Sequence, residues 1–304
     1  MAADAKSAST NDAPTRIADL IKLVYKHLSM LLPRVEYARP ASVAEALEIL
    51  REHDGARALA GGQTLINVMK ARAAAPDVLV DLADLEELRT ISIAGDKLEL
   101  GAMVTTARIC DSDEVAVSRP ILAEVAAQIA DIQVRNRGTI GGNVCASDPT
   151  NHFPPLLVAL GATMTVAGRD GEREVAAEDF FLGVYMTAVG EGELLTRITV
   201  PAAAHPGDAF AALTVGKSGT CVVSAAASMN GGTRVVIGCV SATPVRATQV
   251  EERLAGGADP EDAAQGLGAT LDPPEDVHAS ADYRRHLAEV LAARAVRQAR
   301  ERAG

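Results

Sequence analysis

The sequence predicts an α+β fold, with a small parallel β-α-β unit near its start and an antiparallel hairpin and a long helix near its end. Three observations carry this. A short apolar run over 56–60 ends at Gly61-Gly62, a helical pattern follows over 63–72, and a second apolar run over 78–82 comes after Pro76. The apolar runs 222–229 and 235–240 flank Gly231-Gly232, a hairpin signal. Residues 281–302 place Leu287, Val290 and Leu291 on one face and many arginines on the other, as an amphipathic helix does.

Taken in order, the chain begins with a low-complexity tail, and 17–32 then offers an apolar helical pattern around Leu20, Val24 and Leu28, read as an appendage that docks on a partner. Residues 33–40 are extended in character. Ser42 caps a helix whose apolar face is Val43, Ala46, Leu47 and Leu50, and Glu45 completes an S-x-x-E capping box. Leu98, Leu100 and Ala102 alternate as a strand does, Thr106 starts a helix, and 121–132 reads as a second helical stretch. Thr139-Ile140-Gly141-Gly142-Asn143 reads as a second glycine turn, 154–161 as helix, and 164–167 and 194–200 as strands. The Pro-, Ala- and Gly-rich stretch 201–208 marks a boundary. The expected division is an extension over 1–29, one part over 30–205 with lobes of about 30–85 and 86–205, and a last part over 206–304.

Composition excludes several classes of function. Forty acidic residues against 29 basic ones leave a formal charge of −11, which repels nucleic acid and anionic membranes. No apolar run reaches the roughly 20 residues of a membrane span, and the first 15 residues have no signal-peptide core. The expectation is a soluble, cytoplasmic protein without a membrane span, leaving room for peripheral membrane association. Cys110, Cys145, Cys221 and Cys239 form no C-x-x-C pair, and the six histidines show no ligand spacing, so a redox centre held here is expected to be organic.

Paired glycines let backbone N–H groups converge without Cβ atoms in the way, and a following helix adds its positive end. One such pair reads as a structural turn. Two, each with a flanking hydroxyl (Thr64, Thr139) and a side-chain amide (Gln63, Asn143), suit a pyrophosphate. There is no G-x-G-x-x-G, and Gly216-Lys217-Ser218 has Ala211 where a P-loop needs glycine, which argues against a Rossmann site and against ATP.

Longer motifs surround these pairs. Ala60-Gly61-Gly62-Gln63-Thr64-Leu65, with Met69, Lys70, Arg72, Pro76 and Leu79-Val80-Asp81, resembles the first flavin motif of the medium subunits of the molybdenum hydroxylases, the family of aerobic carbon monoxide dehydrogenase and xanthine dehydrogenase. The stretch from Gln133 to Asn143 resembles their second. Phe180-Phe181-Leu182-Gly183, Gly192-Glu193-Leu194-Leu195-Thr196 and the segment from Ala279 to Leu287 fit further signatures, in consistent order from about Pro33 to Arg297.

The resemblance implies a two-lobed FAD-binding domain, a small α/β lobe plus a larger α+β lobe, followed by a C-terminal domain with a three-stranded antiparallel sheet and a helical bundle. It implies that Ala60, Gly61, Gly62, Gln63, Thr64 and Leu65 and then Thr139, Ile140, Gly141, Gly142 and Asn143 hold the FAD phosphates, with Leu195 toward the adenine and Tyr185 near the isoalloxazine. It also implies a large partner subunit with a molybdopterin-type molybdenum cofactor, a small one with 2Fe–2S clusters, and a dimer of heterotrimers. Electrons would pass from the clusters through FAD to a quinone, NAD or another acceptor.

Two departures concern the cofactor's hydrogen bonds. After Ser147-Asp148-Pro149, the position where relatives carry an aspartate toward FAD is His152, and a lysine usual at the start of the last domain is Ala212. His152 reads equally as a helix cap and as a flavin contact, with Asp148 beside it in the cofactor set. Cys145 reads as a small buried thiol, and Arg135 and Arg137 either offset phosphate charge or pair with carboxylates. A flavin-free scaffold subunit and a self-contained flavin oxidoreductase are the alternative functions.

Overall fold

The computed structural model describes residues 32–203, 207–216 and 219–304, so most of the docking helix expected over 17–32, and Lys217-Ser218, lie outside the described residues. The first sheet has three parallel strands, β1 (Glu36–Ala38), β2 (Ala56–Leu59) and β3 (Val78–Asp81), in the order β1-β3-β2. The expected β-α-β unit is its second half. Ser42 caps the helix Val43–Glu52 by accepting from the Glu45 N–H at 3.2 Å, while the Glu45 carboxylate reaches back to the Ala41 N–H at 2.7 Å. That helix buries Ala46, Leu47 and Leu50 against Val78 and Val80.

The second sheet contains β4 (Ile91–Ala94), β5 (Lys97–Gly101), β6 (Thr163–Gly168) and β7 (Gly171–Ala176). A separate hairpin follows, β8 (Phe181–Gly183) with β9 (Met186–Thr187), and then β10 (Leu194–Pro201), which takes the centre of the sheet in the order β4-β5-β10-β6-β7. One long core packs under this sheet, with Leu98, Leu100, Ile198 and Val200 meeting helices that carry Ile121, Leu122, Phe153 and Leu156. The single helical stretch expected over 121–132 is two helices, Pro120–Ala126 and Ile132–Arg137, parted where Ala130 takes φ +45°. A left-handed residue between them redirects the chain.

The third sheet holds β11 (Asp208–Thr214), β12 (Cys221–Ser228), β13 (Arg234–Gly238) and β14 (Val245–Arg246), all antiparallel in chain order. Three long strands make the sheet, and the two residues of β14 extend its edge. The sequence reading missed β11, because the Pro- and Gly-rich stretch before it suggested an irregular link and Ala209, Ala211 and Ala212 carry no strong strand propensity.

Every residue of β12 is buried, because one face meets the helix Phe153–Ala159 and the other the helix Ala281–Ala303. The long helix reaches the sheet through Leu287, Leu291 and a stripe of Ala288, Ala292, Ala295 and Ala299, all fully or nearly buried. Val290, placed on the apolar face by the sequence, is 37% exposed and points away from the packed stripe. Small side chains at spacings of three and four let a helix lie close to a sheet.

Candidate cofactor site

The first glycine pair lies between β2 and the helix Leu65–Lys70. Gly62 has φ +72°, a left-handed conformation that glycine adopts without strain. Gly61 is needed for a different reason. A Cβ there would stand 2.0 Å from the carbonyl oxygen of Arg137 and 2.8 Å from Cα of Gly138, so this bend rests directly on the backbone that enters the second motif. A Cβ on Gly142 would likewise come 3.4 Å from Cβ of Ala60. The structure thus brings Ala60–Leu65 and Thr139–Asn143 against one another, although more than 70 residues separate them.

The second motif is not the open turn that its paired glycines suggested. It is the first turn of a helix, Ile140–Ala146, with Thr139 as N-cap accepting from the Gly142 N–H at 3.0 Å. Glycine is the poorest helix former after proline, which is why the sequence reads as a bend. Packing overrides propensity here, since a Cβ on Gly141 would stand 2.5 Å from the carbonyl oxygen of Ala102.

The two motifs also differ in where their amides go. The Ile140 and Gly141 N–H groups donate to the Val104 and Ala102 carbonyls, both at 2.9 Å, and the Asn143 N–H donates to the Thr139 carbonyl at 2.9 Å. From Gly61 to Leu65, by contrast, no backbone N–H meets an acceptor among the described residues. The Gln63 side chain folds back to donate to the Gly61 carbonyl at 3.0 Å, and Thr64, at the N-cap position of its helix, makes no capping bond. The first motif is therefore a set of unspent donors, and the second is a rigid wall beside it.

Beyond the wall, the Asn143 side-chain oxygen is buried without a partner, while the Asn143 carbonyl accepts from Asn151 Nδ2 at 2.9 Å. An unmade hydrogen bond of this kind costs about 1–3 kcal/mol unless a ligand or water completes it. The helix Ile140–Ala146 ends at Ser147, whose φ of +44° turns the chain sharply. Ser147 Oγ donates to the Gly183 carbonyl at 2.9 Å and the Tyr185 N–H donates to the Ser147 carbonyl at 3.0 Å, which pins the β8–β9 hairpin to this helix end. Asp148 accepts from the Thr150 N–H and hydroxyl, at 2.9 and 2.8 Å, and from the Tyr185 hydroxyl at 3.4 Å. That carboxylate, and then burial, raises the Tyr185 phenol above its usual range. Asp148 and Tyr185 so form a second cluster at the other end of a seven-residue helix, about 10 Å along its axis from Thr139.

Other expected site residues lie deeper. Leu195 is buried in the core on β10, whose next residue, Thr196, accepts from the Ala102 N–H at 2.9 Å. Ala212 sits within β11, paired with Ser224. Arg135 Nη1 donates to the Ile129 and Ala130 carbonyls at 3.0 and 2.9 Å, and not to a carboxylate. Although Cys145 is only partly covered, desolvation pushes its thiol up to about 12, so it stays protonated. The platform formed by Ala102, Val104 and the Arg137 carbonyl escaped the sequence reading, because no local pattern marks a main-chain carbonyl as a long-range partner.

His152 stands at the N-cap position of the helix Phe153–Ala159 but makes no side-chain capping bond. Its ring is buried, lies 5.2 Å from the Phe210 ring, and leaves Nε2 without a partner. Burial lowers its pKa to about 4, against the opposing pull of a hydrogen bond to the Thr150 backbone. A histidine depressed in the folded state contributes stability that is complete above pH 6.5 and is lost as pH falls from 6.5 toward 4, where only the unfolded chain takes up the proton. The expected loss is about 3 kcal/mol relative to a His152→Leu variant. Urea titrations at pH 7, 5.5 and 4.5 check this, and parallel pH dependence in the two proteins would refute it.

Residues 33–203 match the FAD binding domain in molybdopterin dehydrogenase, and residues 200–299 match the CO dehydrogenase flavoprotein C-terminal domain. The chain belongs to the FAD-binding medium subunits of the molybdenum hydroxylases. This medium subunit is 40% identical to the carbon monoxide dehydrogenase medium chain of Afipia carboxidovorans over 281 residues, covering 88% of this chain and 97% of that one. It is 34% identical to the nicotine 6-hydroxylase medium subunit of Paenarthrobacter nicotinovorans, covering 89% and 99%. Among solved structures, carbon monoxide dehydrogenase from Hydrogenophaga pseudoflava superposes with a TM-score of 0.87 at 38% identity, covering 90% of this medium subunit and 100% of that chain. Quinoline 2-oxidoreductase from Pseudomonas putida 86 gives 0.84 at 34% identity, with the same coverage. The medium subunit is thus an oxidoreductase subunit with an FAD-binding domain, and no helix among its described residues is long and apolar enough to cross a membrane.

Proposed function

We propose that this medium subunit holds FAD where Ala60–Leu65 meets Thr139–Asn143, and that it carries electrons from the 2Fe–2S clusters of a small partner subunit to an external acceptor. The observation that carries this reading is the pairing of a bend rich in unspent amides with a helix start that closes on it through Gly61 and Gly142. Backbone amides are suited to a pyrophosphate because they neutralise oxygen charge without a flexible side chain, and here Arg135 is committed elsewhere. When bound, FAD supplies two-electron and one-electron redox chemistry. The chain's own residues position it. Gly61 to Leu65 would donate to the phosphates, the buried Asn143 oxygen would accept from a cofactor hydroxyl, and the Tyr185–Asp148 cluster would meet the far end. His152, neutral through the physiological range, keeps a buried Nε2 without a partner and adds no charge.

In this reading substrate is oxidised at a molybdopterin-type molybdenum centre in a large partner subunit, and the three chains assemble as a dimer of heterotrimers in the cytoplasm. Residues 30–205 form the flavin part and 206–304 the last domain. The test is the absorption of the purified chain and of the intact complex in the flavin bands, followed by identification of the extracted cofactor. One FAD per chain is expected in the complex. Its lack in both preparations would overturn the reading and favour a scaffold subunit.

A further inference from the structure

The turn that joins β12 to β13 holds Asn230-Gly231, and Asn230 is the one asparagine of the chain that is followed by glycine. The last rung of the hairpin pairs Ser228 with Arg234. Beyond it Gly231 and Gly232 take φ of +72° and +118°, with open space where a Cβ would stand. The Gly231 N–H makes no hydrogen bond among the described residues. A nitrogen nucleophile is therefore free one residue after a side-chain amide, with no side chain of its own to hinder the approach. The other asparagines are placed differently: Asn67, Asn136 and Asn143 lie inside helices, and Asn11 and Asn151 precede Asp12 and His152.

The amide itself is tied to the interior. Asn230 Nδ2 donates at 3.0 Å to Asp208 Oδ1, and the other Asp208 oxygen meets Arg119 Nη1 at 2.5 Å. Asp208 and Arg119 are both buried. A second guanidinium at this joint, Arg302, is held by the Asp208 main-chain carbonyl at 3.0 Å and by Glu124 at 2.9 Å. An anion in place of the Asn230 amide would thus stand against the Asp208 carboxylate, with Arg119 and Arg302 already engaged. Like charges so close and so far from water destabilise each other.

We propose that Asn230 is a deamidation site of the folded protein, and that its conversion to aspartate and isoaspartate loosens the buried joint between Arg119 and Asp208. The Gly231 nitrogen gives up its proton and bonds to Asn230 Cγ, the Cγ–Nδ2 bond breaks, and ammonia leaves. Water then opens the cyclic imide at either carbonyl. No electron is transferred; the net change is one water gained and one ammonia lost. The hydrogen bond to Asp208 holds Nδ2 in place, so the reaction proceeds through local openings of a hairpin end whose two glycines are exposed and make few contacts. Either product carries the new charge, and isoaspartate also lengthens the main chain within the turn.

The experiment ages the purified complex at pH 8.5 and 37 °C, maps the mass increment of amide-to-acid conversion along the chain, and assays isoaspartate enzymatically. Thermal melts then compare Asn230→Asp with Asn230→Ala. Expected is conversion at Asn230 at least about fivefold faster than at any other asparagine, with isoaspartate in the tryptic peptide that ends at Arg234. Asn230→Asp is expected to melt at least about 3 °C below Asn230→Ala, which loses the same hydrogen bond without adding charge. Conversion at Asn230 less than twofold faster than at the other asparagines, or an Asn230→Asp chain that melts with or above Asn230→Ala, overturns the proposal. The ageing arm uses the parent alone and does not depend on either variant folding.

Discussion

Gly61→Ala is expected to yield a folded chain that has lost at least nine-tenths of its flavin. The added methyl would lie 2.0 Å from the Arg137 carbonyl oxygen and 2.7 Å from its carbon, well inside contact distance, and both neighbours are backbone. A side chain could swing aside; here one of the two motifs must shift by more than an ångström, at a cost of about 1–3 kcal/mol. That displacement falls on the donors proposed to hold the diphosphate. Gly142→Ala, whose methyl would meet Thr139 Oγ1 at 3.0 Å and Ala60 Cβ at 3.4 Å, is expected to lose less. The ratio of flavin-band to protein absorption, with far-ultraviolet circular dichroism as the check on folding, ranks the two. Full flavin content in Gly61→Ala would mean that the contact between the motifs does not govern binding.

The largest effect on stability is expected at the buried ion pair between Arg119 and Asp208. Each residue is 1% exposed, the Arg119 Nη1 to Asp208 Oδ2 distance is 2.5 Å, and the remaining groups are satisfied: Arg119 Nε donates to the Pro201 carbonyl, and Asn230 Nδ2 donates to Asp208 Oδ1 at 3.0 Å. Arg119→Met strands a carboxylate in the interior and is expected to cost about 3–5 kcal/mol. In a protein of this size that lowers Tm by roughly 10 °C, at about 2–4 °C per kcal/mol. Arg119→Met with Asp208→Leu is expected to recover much of the loss, because two apolar groups can replace a buried pair at little cost. A single variant that melts with the parent would show that the pair contributes nothing net.

These two sites show what the sequence could and could not disclose. The β-α-β unit, the hairpin at Gly231-Gly232 and the long helix are written in local periodicity and local turn chemistry, and they were legible. The two glycine motifs were legible as strings of residues that mark the family, but the shape of the second was not. Thr139 and its two glycines form a helix start only because the Ala102 and Val104 carbonyls, more than 30 residues earlier, receive its amides. Arg119 and Asp208 are 89 positions apart, and nothing near either one announces the other. His152 shows the same limit: its neighbours suggest a helix cap, whereas the Phe210 ring from a different sheet decides its burial and hence its charge.

The two walls at Gly61 and Gly142 belong to different sheets, one attached to β2 and the other wired through Ala102 to β10. Whatever bridges them works as a staple between separately cored lobes, and neither lobe can peel away without letting it go. Loading the cofactor should therefore be felt far from the pyrophosphate, as slower hydrogen exchange along β1 to β3.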